Sequence, residues 1–192
     1  MAKKSKKPVR QTKVDQILNN ELTKVRSSKS ENATTKVDLG QLLNQIKRLI
    51  DGEQKTVSPH VLKGKLVGVY FSASWCSPSK VFSPILAEFI EENKEDFVVV
   101  HVNLDKTKEE MVDFIKDKNW LSVPFEDEKV KKALGTQLKV YSIPSLTIVD
   151  TTSKQVVTTW GRLALSKNRQ YCLEEWKEGR HGCNWYHMFK FW

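Results

Sequence analysis

Apolar residues in this chain fall into two kinds of pattern, short uninterrupted runs and runs at helical spacing, and the two kinds alternate. Residues 66–71 and 97–104 are uninterrupted runs rich in β-branched and aromatic side chains, which predicts buried strands. Between them, apolar side chains recur every three or four residues from Val81 to Ile90, which predicts one face of a helix. Strands that alternate with helices predict an α/β fold with a sheet between helical layers.

The rest of the pattern adds further strands and covering helices. A leading helix is predicted at residues 38–51, because Asp38 and Gln41 form a capping-box pair, an apolar stripe follows them and Gly52 supplies a stop. We expect this helix to cover the sheet. The later elements follow from the same two patterns: a strand near 54–58, helices at 106–118 and 130–138, an antiparallel strand pair at 146–149 and 156–160, and a closing helix at 167–177.

Cys76 lies where the first long strand gives way to the first long helix. Backbone N–H groups and the positive end of the helix dipole stabilise a thiolate at such a position. The sequence therefore marks Cys76 as a candidate nucleophile rather than as core filling. His101, by contrast, lies inside an apolar strand, and we interpret it as a core residue with satisfied hydrogen bonds rather than as a ligand.

Three segments around this cysteine carry a family pattern. Residues 65–86 read KLVGVYFSASWCSPSKVFSPIL, residues 119–125 read NWLSVPF, and residues 141–146 read YSIPSL. Together with the later 156–159, these segments resemble the active-site region, the Trp-Leu-x-Val-Pro-Phe signature and the cis-proline strand of tryparedoxins and nucleoredoxins. The resemblance covers roughly residues 54–178. It implies the thioredoxin-like fold, a three-layer α/β sandwich with a central mixed sheet.

The resemblance also implies roles for residues around the nucleophile. Trp75 would shield one side of the thiol, and Pro78 takes a place that prolines often take in this motif. Pro144 is expected to be cis and to set the backbone of Ile143 beside the thiol, where it could pair with an incoming peptide. Trp120 is expected at a rim that contacts thiol and protein substrates. For the two tryptophans and Pro144, the alternative is a purely structural role in packing or in a turn.

One position departs from the family pattern, because Ser79 stands where the second active-site cysteine is expected. In a two-cysteine centre the first thiolate attacks a partner disulfide, and the second thiol resolves the mixed disulfide. A hydroxyl can donate a hydrogen bond toward the sulfur but cannot perform that second displacement. Cys76 and Ser79 are therefore predicted to form a monothiol centre, with a dithiol or a glutathione-type thiol as co-substrate. Cys172, expected to be packed in the last helix, and Cys183, in the tail, are the other candidate resolving thiols.

The net charge of +9 comes mainly from the N-terminus. Residues 1–36 hold ten basic and three acidic residues, whereas the rest of the chain is nearly balanced. We interpret this segment as a basic arm, partly helical or disordered. It is a solvated tail, a contact for nucleic acid or an anionic surface, or a targeting address. Its candidate partner-binding residues are Lys3, Lys4, Lys6, Lys7 and Arg10.

The last residues, 179–192, form an aromatic tail without an acidic side chain. Such a segment has to be covered, either by its own domain, by a partner protein or RNA, or by a membrane interface. Its candidate partner-binding residues are Trp185, Tyr186, Phe189 and Trp192. His181, Cys183 and His187 lack a fourth ligand and the spacing of a zinc site, so no metal site is predicted.

The sequence also bears on the cellular compartment of the protein. No apolar run approaches the ~20 residues of a membrane span, and the N-terminus lacks the apolar region of a secretory signal. Three cysteines do not make a disulfide framework. These features predict an intracellular, reducing compartment, the cytoplasm first, with the nucleus and the mitochondrion as alternatives. No resident cofactor is predicted.

Two functions of different class follow for the predicted domain at residues 37–178. The first is a monothiol thiol–disulfide exchange protein or redox adaptor, which uses Cys76 on a protein disulfide or mixed disulfide. The second is a catalytically retired redoxin that serves as a structural subunit of a larger assembly, with a ribonucleoprotein or other nucleic-acid-containing assembly as one alternative. A third hypothesis treats Ser79 as a replacement made in an otherwise ordinary dithiol protein.

Overall fold

The structure is a computed structural model, and it describes residues 45–182. In this range it contains four α-helices: α1 (Ser77–Glu92), α2 (Lys108–Ile115), α3 (Glu128–Gln137) and α4 (Gly161–Lys177). It also contains a 3-10 turn, Pro59–Leu62, and seven strands: β1 (Leu49–Ile50), β2 (Thr56–Val57), β3 (Leu66–Ser72), β4 (Phe97–Asn103), β5 (Leu121–Ser122), β6 (Ser145–Asp150) and β7 (Gln155–Thr158).

The strands form one mixed sheet in the order β2-β1-β5-β4-β3-β6-β7. At its centre β3 pairs in parallel with β4 and antiparallel with β6, so that Tyr70 lies beside His101 and Leu146. All seven residues of β3 are buried. This explains the uninterrupted apolar run of the sequence, because a central strand covered on both faces has no solvent side.

Helices cover both faces of the sheet, which gives the three layers that the sequence predicts. Alternate residues of β3 enter two separate cores: Tyr70 joins one, while Val69 and Phe71 join the other. Apolar residues of α1, α2 and α4 complete the first core. Leu134 of α3 and Leu62 of the 3-10 turn contribute to the second.

The closing helix α4 is longer than the predicted 167–177 and bends at Asn168, which has non-helical φ and ψ. Its first residue, Gly161, lies so close to β6 that a Cβ there would be 2.8 Å from the Leu146 carbonyl oxygen. Farther along, the Arg169 guanidinium binds the carboxylates of Glu88 and Glu92 and links α4 to α1. The exposed ends of such pairs limit what they add to stability.

The predicted leading helix at 38–51 is wrong over residues 45–51, none of which is helical. Leu49 and Ile50 form β1, which is antiparallel to β2 and β5. After them the Asp51 carboxylate accepts backbone N–H groups of Glu53 and Lys55, both at 2.9 Å, and so builds a turn where the sequence suggested a helix stop. Two adjacent apolar residues fit a strand as well as a helix, and only the pairing partners decide.

The other predicted elements appear close to their expected positions. The strand near 54–58 is β2, and the helices at 106–118 and 130–138 are α2 and α3. The basic arm, residues 38–44 of the predicted leading helix and the aromatic tail from residue 183 lie outside the described residues. Between residues 45 and 182, no helix is both long and apolar enough to span a membrane.

Candidate active site

Cys76 is the N-cap residue of α1, at the end of a short loop that leaves β3. Its carbonyl oxygen accepts the N–H groups of Ser79 and Lys80, at 3.0 and 3.2 Å, which begins the helix. Pro78, in the first turn, lacks an N–H that would otherwise go unpaired there. The thiol itself is 7% exposed, and its sulfur lies 3.8 Å from the carbonyl oxygen of Ile143, to which it donates. Cys76, the candidate nucleophile, therefore lies just beneath the surface, at the positive end of a helix.

The Ile143–Pro144 peptide bond is cis, as the resemblance implies. It immediately precedes β6, whose first residue Ser145 pairs with Phe71 near the end of β3. Because β3 and β6 are antiparallel neighbours, the end of one and the beginning of the other lie at the same edge of the sheet. This places the cis proline next to the loop that carries Cys76.

Residues at the end of β4 hold that loop in place. The Asp105 carboxylate accepts the backbone N–H of Ser74 at 2.6 Å, and the Trp75 indole N–H donates to the Leu104 carbonyl at 3.1 Å. Asp105 is buried, and its second carboxylate oxygen has no hydrogen-bond partner among residues 45–182. Trp75 remains 55% exposed, so one indole edge is fixed while its face is open to a partner.

Ser79 lies in the first turn of α1, where the resemblance expects a resolving cysteine. Its side chain is completely buried, and within the described part of the chain its hydroxyl meets no partner with hydrogen-bond geometry. The Cys76 thiol donates instead to Ile143. A buried hydroxyl without a partner is costly, which makes Ser79 a group that a thiolate on Cys76 could satisfy.

Beneath the first turn of α1, Tyr70 places a phenol in the same core. Its hydroxyl lies 3.2 Å from that of Ser83, and either oxygen could be the donor. Burial raises the pKa of Tyr70 above its ordinary value, while the nearby hydroxyls of Ser83, Ser72 and Ser79 oppose that rise. The phenol therefore stays neutral and available as a hydrogen-bond donor at physiological pH.

His101 extends this polar group into the sheet, and it is fully buried. The Ser122 hydroxyl donates to the His101 carbonyl at 3.2 Å, so its oxygen is free to accept from Nδ1 at 3.3 Å. The other ring nitrogen, Nε2, then accepts the Ser72 hydroxyl at 2.9 Å. Burial, assisted by the charges of Lys118 and Lys131, lowers the pKa of His101 to about 3. His101 is therefore a neutral core residue, as the sequence indicated.

Most of the expected site residues lie together at one edge of the sheet, and one of them lies away from it in the core. Trp75, Pro78 and Cys76 meet Ile143 and the cis proline at one edge of the sheet. Trp120 does not join them at a rim. It is 1% exposed, because its indole stacks on the His101 ring at 5.4 Å and packs against Tyr70 in the core.

Sequence reasoning missed the residues that support the nucleophile from below and from the side. They are Tyr70, Ser72, Ser83 and Asp105. Asp105 carried a usable signal, since polar residues at the carboxyl ends of adjacent parallel strands meet at one edge of a sheet. The serines gave no such signal in the sequence, because their hydrogen-bond partners depend on how α1 and the strands pack against each other.

Two other features lie away from this site. Cys172 is buried in α4 and donates to the Asn168 carbonyl at 3.1 Å, so its placement does not suggest a resolving thiol, and Cys183 lies outside the described residues. A cleft of about 810 Å³ lies at the opposite end of the sheet, between the β1–β2 turn and the ends of α1 and α2. Across residues 45–182, no cluster of three His, Cys, Asp or Glu side chains could hold a metal ion.

The fold and the site together define a thioredoxin-fold protein with one cysteine in its active-site motif. A family model described as thioredoxin-like matches residues 64–156. Tryparedoxin from Trypanosoma brucei brucei is 36% identical over 108 residues, which cover 55% of this chain and 75% of that protein. Probable nucleoredoxin 1 from Arabidopsis thaliana is 37% identical over 134 residues, 68% of this chain but 23% of that protein.

Solved structures agree with the sequence relatives. Native tryparedoxin I from Crithidia fasciculata superposes with a TM-score of 0.64 at 36% identity, covering 69% of this chain and 93% of that one. Tryparedoxin II complexed with glutathionylspermidine gives 0.65 at 33% identity, with 70% and 94% covered. The chain belongs to the tryparedoxin and nucleoredoxin branch of the thioredoxin superfamily. It spans most of a tryparedoxin but under a third of the length of the nucleoredoxins from Arabidopsis and from Danio rerio.

Proposed function

We propose that this protein performs thiol–disulfide exchange with one active-site cysteine, Cys76, and relies on an outside thiol to release its partner. The observation that supports this most directly is the position of Cys76 at the N-cap of α1, with its sulfur 3.8 Å from the carbonyl next to a cis proline. A thiolate at a helix N-terminus is a good nucleophile and a good leaving group. The relationship to redox proteins supports the same class of chemistry.

The exchange runs in three balanced steps. The Cys76 thiol loses its proton to solvent, and the thiolate attacks one sulfur of a partner disulfide, forming a mixed disulfide and releasing the other sulfur as a thiolate. A second thiolate, from glutathione, from glutathionylspermidine or from a dithiol, then attacks the partner's sulfur in the mixed disulfide, forms a new disulfide with it and releases Cys76 as a thiolate. A further thiolate, or the second thiol of the dithiol, attacks that new disulfide and frees the reduced partner. Ser79 has no sulfur and supplies no electrons to these steps, and its buried hydroxyl has no hydrogen-bond partner in the described residues.

We propose a glutathione-type thiol or a dithiol as the co-substrate. One solved relative carries glutathionylspermidine, which makes thiols of that type a reasonable first choice. We propose a reducing intracellular compartment for the same reason, since the second step consumes a reduced thiol.

Ser79→Cys tests the role of the missing thiol. The replacement puts a second sulfur in the first turn of α1, so the variant should form an intramolecular disulfide and reduce a protein disulfide, with dithiothreitol as electron donor, at least tenfold faster than the natural chain. The matched control is Ser83→Cys, one turn farther along α1, which should give no such gain. Equal turnover by the natural chain and Ser79→Cys would contradict a monothiol limit.

A structural role in an assembly is the competing function, and one observation favours it. Cys76 is only 7% exposed, and the polar cluster beneath it contains an unsatisfied Ser79 hydroxyl. Reaction of the reduced full chain with glutathione disulfide separates the two functions. Peptide mass spectrometry should find glutathione on Cys76 for an exchange protein, whereas a retired subunit leaves Cys76 unmodified.

A further inference from the structure

Trp160 is a large exposed side chain at the active-site edge of the sheet, and none of the chemistry above uses it. The residue is 62% exposed and connects β7 to α4, for which it is the N-cap. Strands β7 and β3 are both antiparallel to β6 and therefore run in the same direction. Trp160 thus leaves the sheet at the same edge as the loop that carries Cys76.

The backbone around Trp160 is fixed against the strand that follows the cis proline. Its N–H donates to the Thr158 hydroxyl at 3.0 Å, and its carbonyl accepts the N–H of Ala164 at 2.9 Å. The next residue, Gly161, is packed against the carbonyl of Leu146, where a Cβ would be only 2.8 Å away. Only glycine allows this approach without a backbone shift, so the backbone of Trp160 and Gly161 is held beside Leu146, the second residue of β6.

Two exposed indoles flank the nucleophile. Across this edge the strands follow the order β4, β3, β6, β7. Trp75 is bound to the end of β4, Cys76 follows β3, Pro144 precedes β6, and Trp160 follows β7. Neighbouring strands are about 4.8 Å apart, so Trp160 is displaced by about 10 Å from the position of Cys76 along this edge, roughly three residues of extended peptide.

The backbone between these points is open to a peptide. Among residues 45–182, the N–H of Ile143 donates to no acceptor, and its carbonyl accepts only the long contact from the Cys76 thiol. An extended segment can pair with such groups as an added strand. A small disulfide reaches Cys76 and Ile143 but is too short to reach Trp160 as well.

We propose that Trp160 is a specificity-determining residue, which binds an apolar side chain of a polypeptide partner about three residues from the cysteine that Cys76 attacks. This inference rests on the exchange function proposed above. Exposed tryptophans carry a large share of binding energy where they are covered by a partner, because they bury much area at little cost in conformational entropy. Leu163, on the next turn of α4 and 41% exposed, extends the same apolar surface.

The test uses the full reduced chain and cysteine peptides activated as mixed disulfides with thionitrobenzoate. The Cys76 thiolate attacks the peptide sulfur, forms the Cys76–peptide disulfide and expels the coloured thionitrobenzoate anion, so absorbance reports the rate. One peptide carries leucine at the three positions on either side of its cysteine, and the other carries serine there. Ellman's reagent serves as the small disulfide, and peptide mass spectrometry confirms the site as Cys76.

Trp160→Ala should slow the reaction with the leucine peptide by about tenfold and leave the serine peptide and Ellman's reagent within about twofold. Trp160→Phe should retain most of the rate. The matched control is Tyr171→Ala, which removes another half-exposed aromatic from α4 far from its first turn and should change none of the three rates.

Each other outcome decides against the inference. Equal slowing of all three reagents would show that Trp160 acts on Cys76 or on the fold, and no slowing of any would show that it binds nothing. In both cases the exchange function survives, because the small disulfide still reacts at Cys76. If the natural chain fails to react even with Ellman's reagent, the proposed function falls, and this inference falls with it.

Discussion

Cys76 and Cys172 are both buried, and both donate a hydrogen bond to a backbone carbonyl, yet their surroundings differ in kind. Cys76 precedes the first turn of α1 and donates over 3.8 Å to Ile143, in a different part of the chain. Cys172 lies inside α4 and donates over 3.1 Å to Asn168, one turn earlier in its own helix. Cys76 lies at the start of a helix, and Cys172 is packed within one.

The comparison shows that burial and hydrogen bonding alone do not distinguish a nucleophile from a core residue. Fractional exposure is 7% for Cys76 and 0% for Cys172, a small difference on its own. What separates them is the direction of the helix dipole and the open edge of the sheet beside Cys76. Reactivity therefore depends on where along its helix a cysteine lies.

The largest expected effect is a difference in alkylation rate between the two thiols. In the native full chain, iodoacetamide should modify Cys76 at least about a thousandfold faster than Cys172, because Cys172 is reached only when α4 opens and such openings cost several kcal/mol. Peptide mass spectrometry against time measures both rates in one sample. In concentrated urea the two rates should converge within about tenfold, which controls for intrinsic differences. Comparable alkylation rates of Cys76 and Cys172 in the native protein would contradict the proposed difference in reactivity.

A second prediction concerns the polar group next to β3, which has no counterpart around Cys172. The pKa of His101 is lowered by burial to about 3, whereas an unfolded chain has the ordinary value of ~6.5. Between these values the unfolded state binds a proton that the folded state excludes. The contribution of His101 is therefore complete above the unfolded value and is lost as the pH falls toward the folded value. This amounts to about 2 kcal/mol between pH 8 and pH 5.

Urea unfolding at several pH values measures how steeply the free energy of unfolding changes with pH. His101→Gln should lower stability at every pH but reduce the slope of stability against pH. A histidine resonance of the folded chain, assigned to His101, that titrates near the ordinary value would contradict the prediction.

The sequence predicted those parts of the molecule whose neighbours are close in the chain. Strand β3, helix α1 and the position of Cys76 between them follow from a run of residues and its period. The bond from Ser74 to Asp105 joins residues 31 positions apart, and no local pattern reports it. The same holds for β1, because Leu49 and Ile50 become a strand only through partners at residues 56–57 and 122.

Trp120 shows a different limit, that of transferring a role by resemblance. The family was recognised correctly, but membership in a family does not decide whether a given tryptophan binds a substrate or packs in the core. Here the indole stacks on His101 and is 1% exposed, so packing accounts for its place. The first half of α4 was missed because Gly161 begins it and its apolar residues, 163–165, are consecutive rather than at helical spacing. Contact with β6 stabilises this part of the helix.

The smallest expected effect separates two serines of α1 that the sequence does not distinguish. The Ser83 hydroxyl bonds to Tyr70, whereas the Ser79 hydroxyl, equally buried, has no partner in the described residues. Ser83→Ala should therefore destabilise the fold by about 1 kcal/mol, because it leaves the Tyr70 hydroxyl without that bond. Ser79→Ala should be neutral or stabilising by up to about 1 kcal/mol, since it removes an unsatisfied hydroxyl.

Urea unfolding of both variants, each also combined with Tyr70→Phe, tests this pair. The cost of Ser83→Ala should largely disappear in the Tyr70→Phe background, because the lost bond is then absent from both chains. The effect of Ser79→Ala should change much less between the two backgrounds, because only Ser83 forms a hydrogen bond of good geometry with Tyr70. If Ser79→Ala instead destabilises the reduced protein but not the protein with Cys76 alkylated, the Ser79 hydroxyl is bound to the Cys76 sulfur. The serine would then act as a donor to the nucleophile, the one part of the lost thiol's role that a hydroxyl can perform.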